Sequence, residues 1–223
     1  MLISCRDLSV GFGRHCVASG ISFSVPERSS LLVLGHNGAG KSTLIRTLMG
    51  LLPPLRGQGD VLGLELSAAS PKSLIARGVR YLGQGHRSFD DLQVRDHRSV
   101  LTRLYGYAAV SNVESPAVAR QRVGELSVGW RRLEGLWLLA AGSPRVFMLD
   151  EPLSGLDAAN CQNLISWMQS SREDGTSFVV VEHDFRHLLT ILDQALVLRR
   201  GEVTFYGPAR DLCNEALLAD VYL

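Results

Sequence analysis

The chain has 223 residues, of which 46% are hydrophobic and 20% are charged, and its formal net charge is +1. This length allows one large domain with a sizeable core, while the balanced charge gives no electrostatic argument for a nucleic-acid partner. The longest apolar runs, such as residues 136–141, are shorter than the roughly 20 residues of a membrane-spanning helix. The cysteines lack the C-x-x-C spacing of zinc or redox sites, so we expect free thiols in a reducing compartment. They are Cys5, Cys16, Cys161 and Cys213.

The N-terminal segment contains two apolar, partly alternating runs, residues 2–10 and 21–25, with Gly11 and Gly13 between them. This pattern predicts two strands of an antiparallel β element. Residues 1–6 lack the layout of a signal peptide, so we expect a soluble chain. Phe12 lies in the turn between the strands, where it is either a hydrophobic plug or an aromatic with a binding role.

A glycine-rich stretch, residues 35–43, fits the pattern G-x-x-x-x-G-K-[ST] between an apolar run, 31–34, and a helical pattern, 44–49. In such a loop the backbone N–H groups and the helix N-terminus bind phosphate oxygens. Lys41 is then expected to reach the β- and γ-phosphates, and Ser42 to ligate Mg²⁺. The alternative is a glycine-rich turn before an ordinary helix. The predicted phosphate-binding residues are Gly35, His36, Asn37, Gly38, Ala39, Gly40, Lys41, Ser42 and Thr43.

The middle of the chain is less regular. Residues 53–57 predict an interruption of regular structure, and residues 79–83 predict a short strand that ends at Gln84. A polar loop, mixed helical periodicity and a loosely patterned connection follow, up to residue 125. From Trp130, apolar residues recur at spacings of three and four, which predicts a helix that ends at 142–144.

The C-terminal third alternates between strand and helix patterns. We predict a buried strand at 146–149, a helix at 158–171, a strand at 177–181 and a helix at 184–192, which together indicate a parallel sheet flanked by helices. Residues 195–206 predict a hairpin that turns at Arg200-Gly201, and two short helical pieces follow.

Two acidic residues, Asp150 and Glu151, end the buried strand at 146–149. Open α/β sheets bind ligands at the carboxyl ends of their strands, so these carboxylates are expected to face the phosphates. Asp150 would hold Mg²⁺ through water, and Glu151 would act as general base on the attacking water. The alternative is a pair of acids that caps the strand and the next helix.

Four further features surround these two motifs: Gln84 after a strand, residues 126–130 before a helix, residues 154–157 just after the acids, and His183 after the next apolar strand. An N-K-x-D guanine-reading tetrad is absent from the sequence, which argues against a GTPase. This order and spacing resembles the nucleotide-binding subunit of ATP-binding-cassette (ABC) transporters over essentially the whole chain.

The resemblance implies roles for several side chains around ATP. Phe12 matches the aromatic that stacks on adenine. Gln84 matches the Q-loop glutamine, which links Mg²⁺ and the attacking water to the membrane partner. His183 matches the switch histidine that contacts the γ-phosphate, although a histidine after a strand is more often structural.

Ser127 and Gly129 fall on the signature loop, which is implied to cap ATP bound to a second subunit. Asp157 falls on the D-loop. The usual signature L-S-G-G-Q is altered here, because Val128 replaces a glycine and Trp130 replaces the glutamine. If position 128 required a positive φ, a β-branched residue would cost about 1–2 kcal/mol, which leads to the hypothesis of a weakened signature and slow sites in a homodimer.

The resemblance also implies a domain architecture, cofactors, partners and a cellular location. We expect a P-loop NTPase (RecA-like) α/β core at 1–84 and 145–223, with a helical lobe at 85–144 that carries the signature loop, within one domain. ATP and Mg²⁺ are the implied cofactors. The implied partners are integral membrane permease subunits and a second ABC ATPase, with no nucleic acid. The expected location is the cytoplasm, peripheral to the membrane through the permease.

Within the family, short stretches resemble the ATPases of branched-chain amino-acid and urea uptake systems; they are residues 85–89, 92–94, 181–184, 207–209 and 221–223. Three alternatives remain open at this point. A soluble ABC ATPase that acts on DNA or ribosomes usually has coiled-coil insertions or two cassettes. A regulatory ATP-binding subunit with weak turnover would fit the altered signature. A small-molecule P-loop kinase would leave the signature and His183 unexplained.

Overall fold

The computed structural model describes residues 1–83, 90–96, 99, 116–140, 144–183 and 185–213. Gln84, residues 85–89, 97–98, 100–115 and 141–143 of the predicted helical lobe, residue 184 and residues 214–223 lie outside this part of the chain. The strands are β1 Ile3–Phe12, β2 His15–Val25, β3 Leu31–Gly35, β4 Arg56–Val61, β5 Leu64–Glu65, β6 Val79–Leu82, β7 Val146–Asp150, β8 Ser177–Val181, β9 Gln194–Arg199 and β10 Glu202–Pro208. The described α-helices are α1 Lys41–Leu48, α2 Pro71–Ala76, α3 Pro116–Ala119, α4 Val128–Ala140 and α5 Ala158–Glu173.

The strands form two sheets. One is an antiparallel sheet in the order β2-β1-β4-β5, and the other is a six-stranded sheet in the order β10-β9-β3-β8-β7-β6. In the second sheet, neighbouring strands from β9 to β6 run parallel, and β10 pairs antiparallel with β9 at the edge. Every residue of β3, β7 and β8 is buried, as expected for central strands that are covered on both faces.

Alternation along β3 divides the core into two clusters. Leu31 and Val33 pack with α1 and the antiparallel sheet, whereas Leu32 and Leu34 pack on the opposite face with α4 and α5. Successive side chains of a strand point to opposite faces, so a continuous apolar run serves both clusters. These two layers hold the carboxyl ends of β3, β7 and β8 at one edge of the sheet.

The predicted fold class is confirmed: a P-loop α/β core with a parallel sheet and an N-terminal antiparallel sheet. Two predictions of local structure differ from the structure. Residues 53–57 were expected to lie in irregular structure, but β4 begins at Arg56 and pairs with β1. The predicted helix at 184–192 is wrong for the residues described there, because they form only a 3-10 turn at Arg186–Leu188.

The α-helix α2 was not predicted. Ser70 caps it by accepting the Ser73 N–H, and Pro71 occupies its first turn, which is a favoured start for a helix. Among the described residues, no helix is long and apolar enough to cross a membrane.

Candidate functional site

The site lies at the carboxyl edge of the parallel sheet. Strand β3 leads into the glycine-rich loop, β7 ends at Asp150, and β8 leads to His183. Because β8 lies between β3 and β7, groups far apart in sequence meet there. The Ser42 hydroxyl donates to Asp150 Oδ1 at 3.2 Å.

The glycine-rich loop has backbone angles that residues other than glycine rarely adopt. Gly35 has φ 144° and Gly40 has φ 103°. A Cβ at Gly35 would lie 2.1 Å from the Leu198 carbonyl oxygen, and one at Gly40 would lie 2.9 Å from the Ala18 Cβ. Glycine is therefore required at both positions, and helix α1 begins directly after Gly40, where its N-terminus favours an anion.

Lys41 is buried inside this loop. Its Nζ donates to the carbonyl oxygens of Gly35 at 2.6 Å and His36 at 3.0 Å. Burial lowers the pKa of Lys41, while the nearby charges of Glu151 and Asp150 oppose that shift. The loop thus holds a desolvated ammonium group close to the place where phosphates would bind.

Asp150 is almost completely buried. Its Oδ2 has no hydrogen-bond partner among the described residues, although Oδ1 accepts the Ser42 hydroxyl. Burial raises the pKa of Asp150, and the hydrogen bond from Ser42 opposes this. A buried carboxylate oxygen without a donor, beside a hydroxyl group, is a donor set that suits Mg²⁺, which prefers oxygen ligands.

Glu151 and His183 face each other across the site. His183 Nε2 lies 3.1 Å from Glu151 Oε1, and the side chains are 43% and 18% exposed, respectively. The backbone of Glu151 has φ 53°, a left-handed conformation that costs about 1–3 kcal/mol for such a residue. This strain indicates a turn that the surrounding structure holds in place.

A cleft of about 800 Å³ is lined by the glycine-rich loop, Glu151 and His183. Phe12 lies at its wall, 46% exposed at the end of β1, so the structure does not make it a buried plug. His15 and Val17, which the sequence did not single out, line the cleft from β2. The predicted residues that the cleft brings together are Phe12, Asn37, Gly38, Gly40, Lys41, Ser42, Thr43, Glu151 and His183.

The residues matched to the signature and D-loop are not among those lining this cleft. The Ser127 Oγ accepts the Trp130 N–H at 3.2 Å, and Gly129 is buried so closely against Leu156 that a Cβ there would lie 3.2 Å from its Cδ2. Asp157 caps α5 by accepting the Asn160 N–H at 2.8 Å. Ser127 and Asp157 are thus exposed outside the cleft, and the buried Gly129 packs the loop of Ser127 against residues 155 and 156.

The altered signature residues sit without backbone strain. Val128 is the first residue of α4, is 60% exposed, and is not among the described residues with a positive φ. Trp130 packs against Val94, Val123 and Leu126, and its ring lies 6.2 Å from that of Trp137. The positive φ that the hypothesis of a weakened signature required is therefore absent.

We accordingly expect Val128→Gly to change ATP turnover by less than about threefold. It removes no strain and exchanges an exposed residue in the first helical turn, at a cost of up to about 1 kcal/mol in stability. Steady-state phosphate release and a melting curve check both values. A gain in turnover of tenfold or more would restore the idea that Val128 weakens the signature.

Two polar side chains near the site, the buried Glu182 and the half-buried Arg132, were missed from sequence. Glu182, 5% exposed, accepts backbone N–H groups of Leu153 and His183. Arg132 donates to the backbone carbonyl of Asp150 at 3.1 Å. Two features of the sequence could have indicated these residues. Glu182 is a charged residue directly after an apolar strand, and Arg132 is a charge among the apolar residues of α4.

A family model described as "ABC transporter" matches residues 18–154, more than half of the chain. The chain belongs to the ABC transporter family. As an ABC cassette it binds and hydrolyses ATP, so the expectations of fold and enzyme class are confirmed.

Three relatives illustrate the range of ABC proteins that this cassette resembles. It is 29% identical to a hemin import ATP-binding protein of Thermobifida fusca, over 100% of this chain and 82% of that protein. It is 32% identical to an Fe(3+) ions import ATP-binding protein of Streptomyces avermitilis, over 93% and 62%. It is 31% identical to a cytochrome c biogenesis ATP-binding export protein of Wolbachia pipientis wMel, over 82% and 89%.

Solved structures of ABC cassettes share the fold. The ATP-binding subunit of an ABC transporter superposes with a TM-score of 0.84 at 22% identity, over 100% of this chain and 98% of that one. A dimeric cassette bound to ADP and Pi superposes with a TM-score of 0.78 at 18% identity, over 93% and 99%.

Proposed function

We propose that this ABC ATPase hydrolyses ATP in the cleft between Phe12, the glycine-rich loop and Glu151, and that it thereby powers a membrane importer. The observation that carries the proposal is the arrangement at the carboxyl edge of the sheet. One cleft contains an exposed aromatic ring, a phosphate-binding loop with a lysine, and a carboxylate paired with a histidine.

Each side chain has a role that follows from its position. The Phe12 ring stacks on adenine, and the loop amides with Lys41 bind the β- and γ-phosphates. Glu151 accepts a proton from the attacking water, because its carboxylate lines the cleft that would hold the phosphates. His183 orients Glu151 and contacts the γ-phosphate.

Ser42 and Asp150 would hold Mg²⁺, together with Gln84 as the resemblance implies. Bound there, the ion would neutralise charge on the phosphate oxygens. Within the protein, the hydrogen bond from Ser42 keeps its hydroxyl beside the Asp150 carboxylate, so that Ser42 could bind the ion directly while Asp150 holds it through water.

We further propose that the functional unit contains two cassettes. Ser127 and Asp157 are exposed outside the cleft, and Gly129 packs beside them against Leu156, as expected for groups that act on ATP held by a second subunit. The partner is a second copy of this chain or another ABC ATPase. Integral membrane permease subunits would provide the membrane contact on the cytoplasmic side.

Two classes of transported solute are candidates. The stretches 85–89, 92–94, 181–184, 207–209 and 221–223 resemble those of branched-chain amino-acid and urea uptake ATPases, which favours a small polar solute. The hemin and Fe(3+) import proteins among the relatives favour an iron-bearing solute instead. Uptake of labelled leucine, urea, hemin and Fe³⁺ by cells with and without the gene would distinguish these classes.

Phe12→Ala tests the assignment of the cleft. Stacking of a base on an aromatic ring contributes about 1–3 kcal/mol, so KM for ATP should rise by about 5–150-fold while kcat changes little. Steady-state kinetics with purified protein and Mg²⁺ measure both values. Leu51→Ala, which shortens an exposed apolar side chain that does not line the cleft, is the control. An unchanged KM in the Phe12 variant would contradict the adenine site.

A further inference from the structure

The turn after β7 places Glu151 in a left-handed backbone conformation, with φ 53°. Such a conformation persists only where the surrounding structure holds it. The Glu151 N–H donates to the Val181 carbonyl oxygen at 2.8 Å, and the Ser154 N–H donates to the Glu151 carbonyl oxygen at 3.2 Å. The orientation of the Glu151 side chain therefore depends on contacts with the end of β8.

One side chain spans the two turns that carry Glu151 and His183. The Glu182 Oε2 accepts the Leu153 N–H at 3.0 Å, and its Oε1 accepts the His183 N–H at 2.9 Å. The carboxylate is nine-tenths buried or more, so water does not easily replace either bond. Each oxygen serves a different turn, and a side chain with a single acceptor oxygen could serve only one of them.

Arg132 supports the same turn from α4. Its guanidinium donates to the Ser154 carbonyl oxygen at 2.8 Å and to the Asp150 carbonyl oxygen at 3.1 Å. Burial raises the pKa of Glu182, and burial lowers the pKa of Arg132 while the Glu182 charge opposes that second shift. The Glu182 charge thus acts on Arg132, whereas the desolvation of Glu182 itself is offset in part by the hydrogen bonds from the His183 and Leu153 N–H groups.

We propose that Glu182 is a positioning residue, which fixes the Glu151 carboxylate relative to the His183 imidazole by binding both turns. This inference rests on the proposed roles of Glu151 and His183. Glu182 lines a neighbouring cavity of about 710 Å³ with both residues but does not line the nucleotide cleft, so on the nucleotide it acts through Glu151 and His183. Because a small displacement of a reacting group can cost up to about 10²-fold in rate, the expected effect is on kcat.

Kinetics of Glu182→Gln and Glu182→Ala test the proposal. We expect kcat to fall by about 10–10²-fold, more for Ala than for Gln because Gln retains one acceptor oxygen, with KM for ATP within about threefold. Asp193→Asn is the matched control, since Asp193 also accepts a backbone N–H, that of Ser30 at 2.8 Å, and bonds to Arg172. This variant should lose thermal stability and keep its kcat within about twofold.

Two further measurements separate positioning from general loss of structure. Amide hydrogen exchange at Leu153 and His183, measured without ATP, should accelerate in Glu182→Ala while exchange in β3 is unchanged. In a Glu151→Gln background, Glu182→Gln should cause little further loss, because both changes remove the same function.

The outcomes distinguish this proposal from the function on which it rests. Parental kcat in Glu182→Ala, unchanged exchange at both amides, or a full additional loss in the double variant each overturns the role of Glu182. Parental turnover in Glu151→Gln overturns the proposed role of Glu151 instead, and with it the reason for positioning that carboxylate.

Discussion

Replacing Glu151 by Gln is expected to reduce ATP turnover by about 10²–10⁴-fold, the range for the loss of a general base. The amide has nearly the same shape but accepts protons very poorly. Its carboxylate lies in the cleft that also contains the glycine-rich loop, and it faces His183 at 3.1 Å. Steady-state release of phosphate measures the effect.

ATP binding should persist in this variant, because the glycine-rich loop and Phe12 are unchanged. Glu27→Gln is the matched control, since Glu27 forms an exposed ion pair with Arg145 at 3.0 Å and does not line the cleft. Hydrolysis by Glu151→Gln at the parental rate would remove Glu151 from its assigned role and would move the search for a base elsewhere in the cleft.

Replacing Lys41 by Met should abolish most turnover and weaken ATP binding by at least about tenfold. A hydrogen bond to a charged group contributes about 1.5–3 kcal/mol, and each 1.4 kcal/mol corresponds to a factor of ten in affinity. Met retains much of the side-chain volume but removes the ammonium. Calorimetric titration with ATP and Mg²⁺ provides the dissociation constant.

The loss of this ammonium also affects the protein without nucleotide. Lys41 donates to the carbonyl oxygens of Gly35 and His36, which Met cannot do, so a lower melting temperature is expected as well. Lys72→Met, at an exposed position of α2, is the matched control. If Lys41→Met bound ATP as tightly as the parent, the loop amides alone would account for phosphate binding.

Much of the core and site follows from local patterns in the sequence. The apolar runs that became β3, β7 and β8 are fully buried, and such runs are recognisable without a structure. The glycine-rich loop was predicted because its chemistry requires particular residues at fixed spacing. Its meeting with Asp150 and Glu151 was predicted from the rule that open α/β sheets bind ligands at the carboxyl edge.

The remaining features depend on tertiary context. Strand β4 is polar and largely exposed, so it is a strand because it pairs with β1 and β5 rather than because of its own sequence pattern. Leu188, Ile191 and Leu192, within the predicted helix at 184–192, are buried. A 3-10 turn at Arg186–Leu188 and the turn that follows it are sufficient to bury these side chains, so an α-helix is not required. The role of Glu182 depends on sheet register, because Asp150 pairs with Val181, and that alignment brings the two following turns together.

The strand order has a consequence for synthesis of the chain. The neighbours of β3 are β8 and β9, which begin only at Ser177 and Gln194. The loop after β3 is therefore synthesised well before the strands that flank β3, and such distant pairings form slowly. A nascent chain should consequently acquire ATP affinity only after β8 and β9 have emerged from the ribosome.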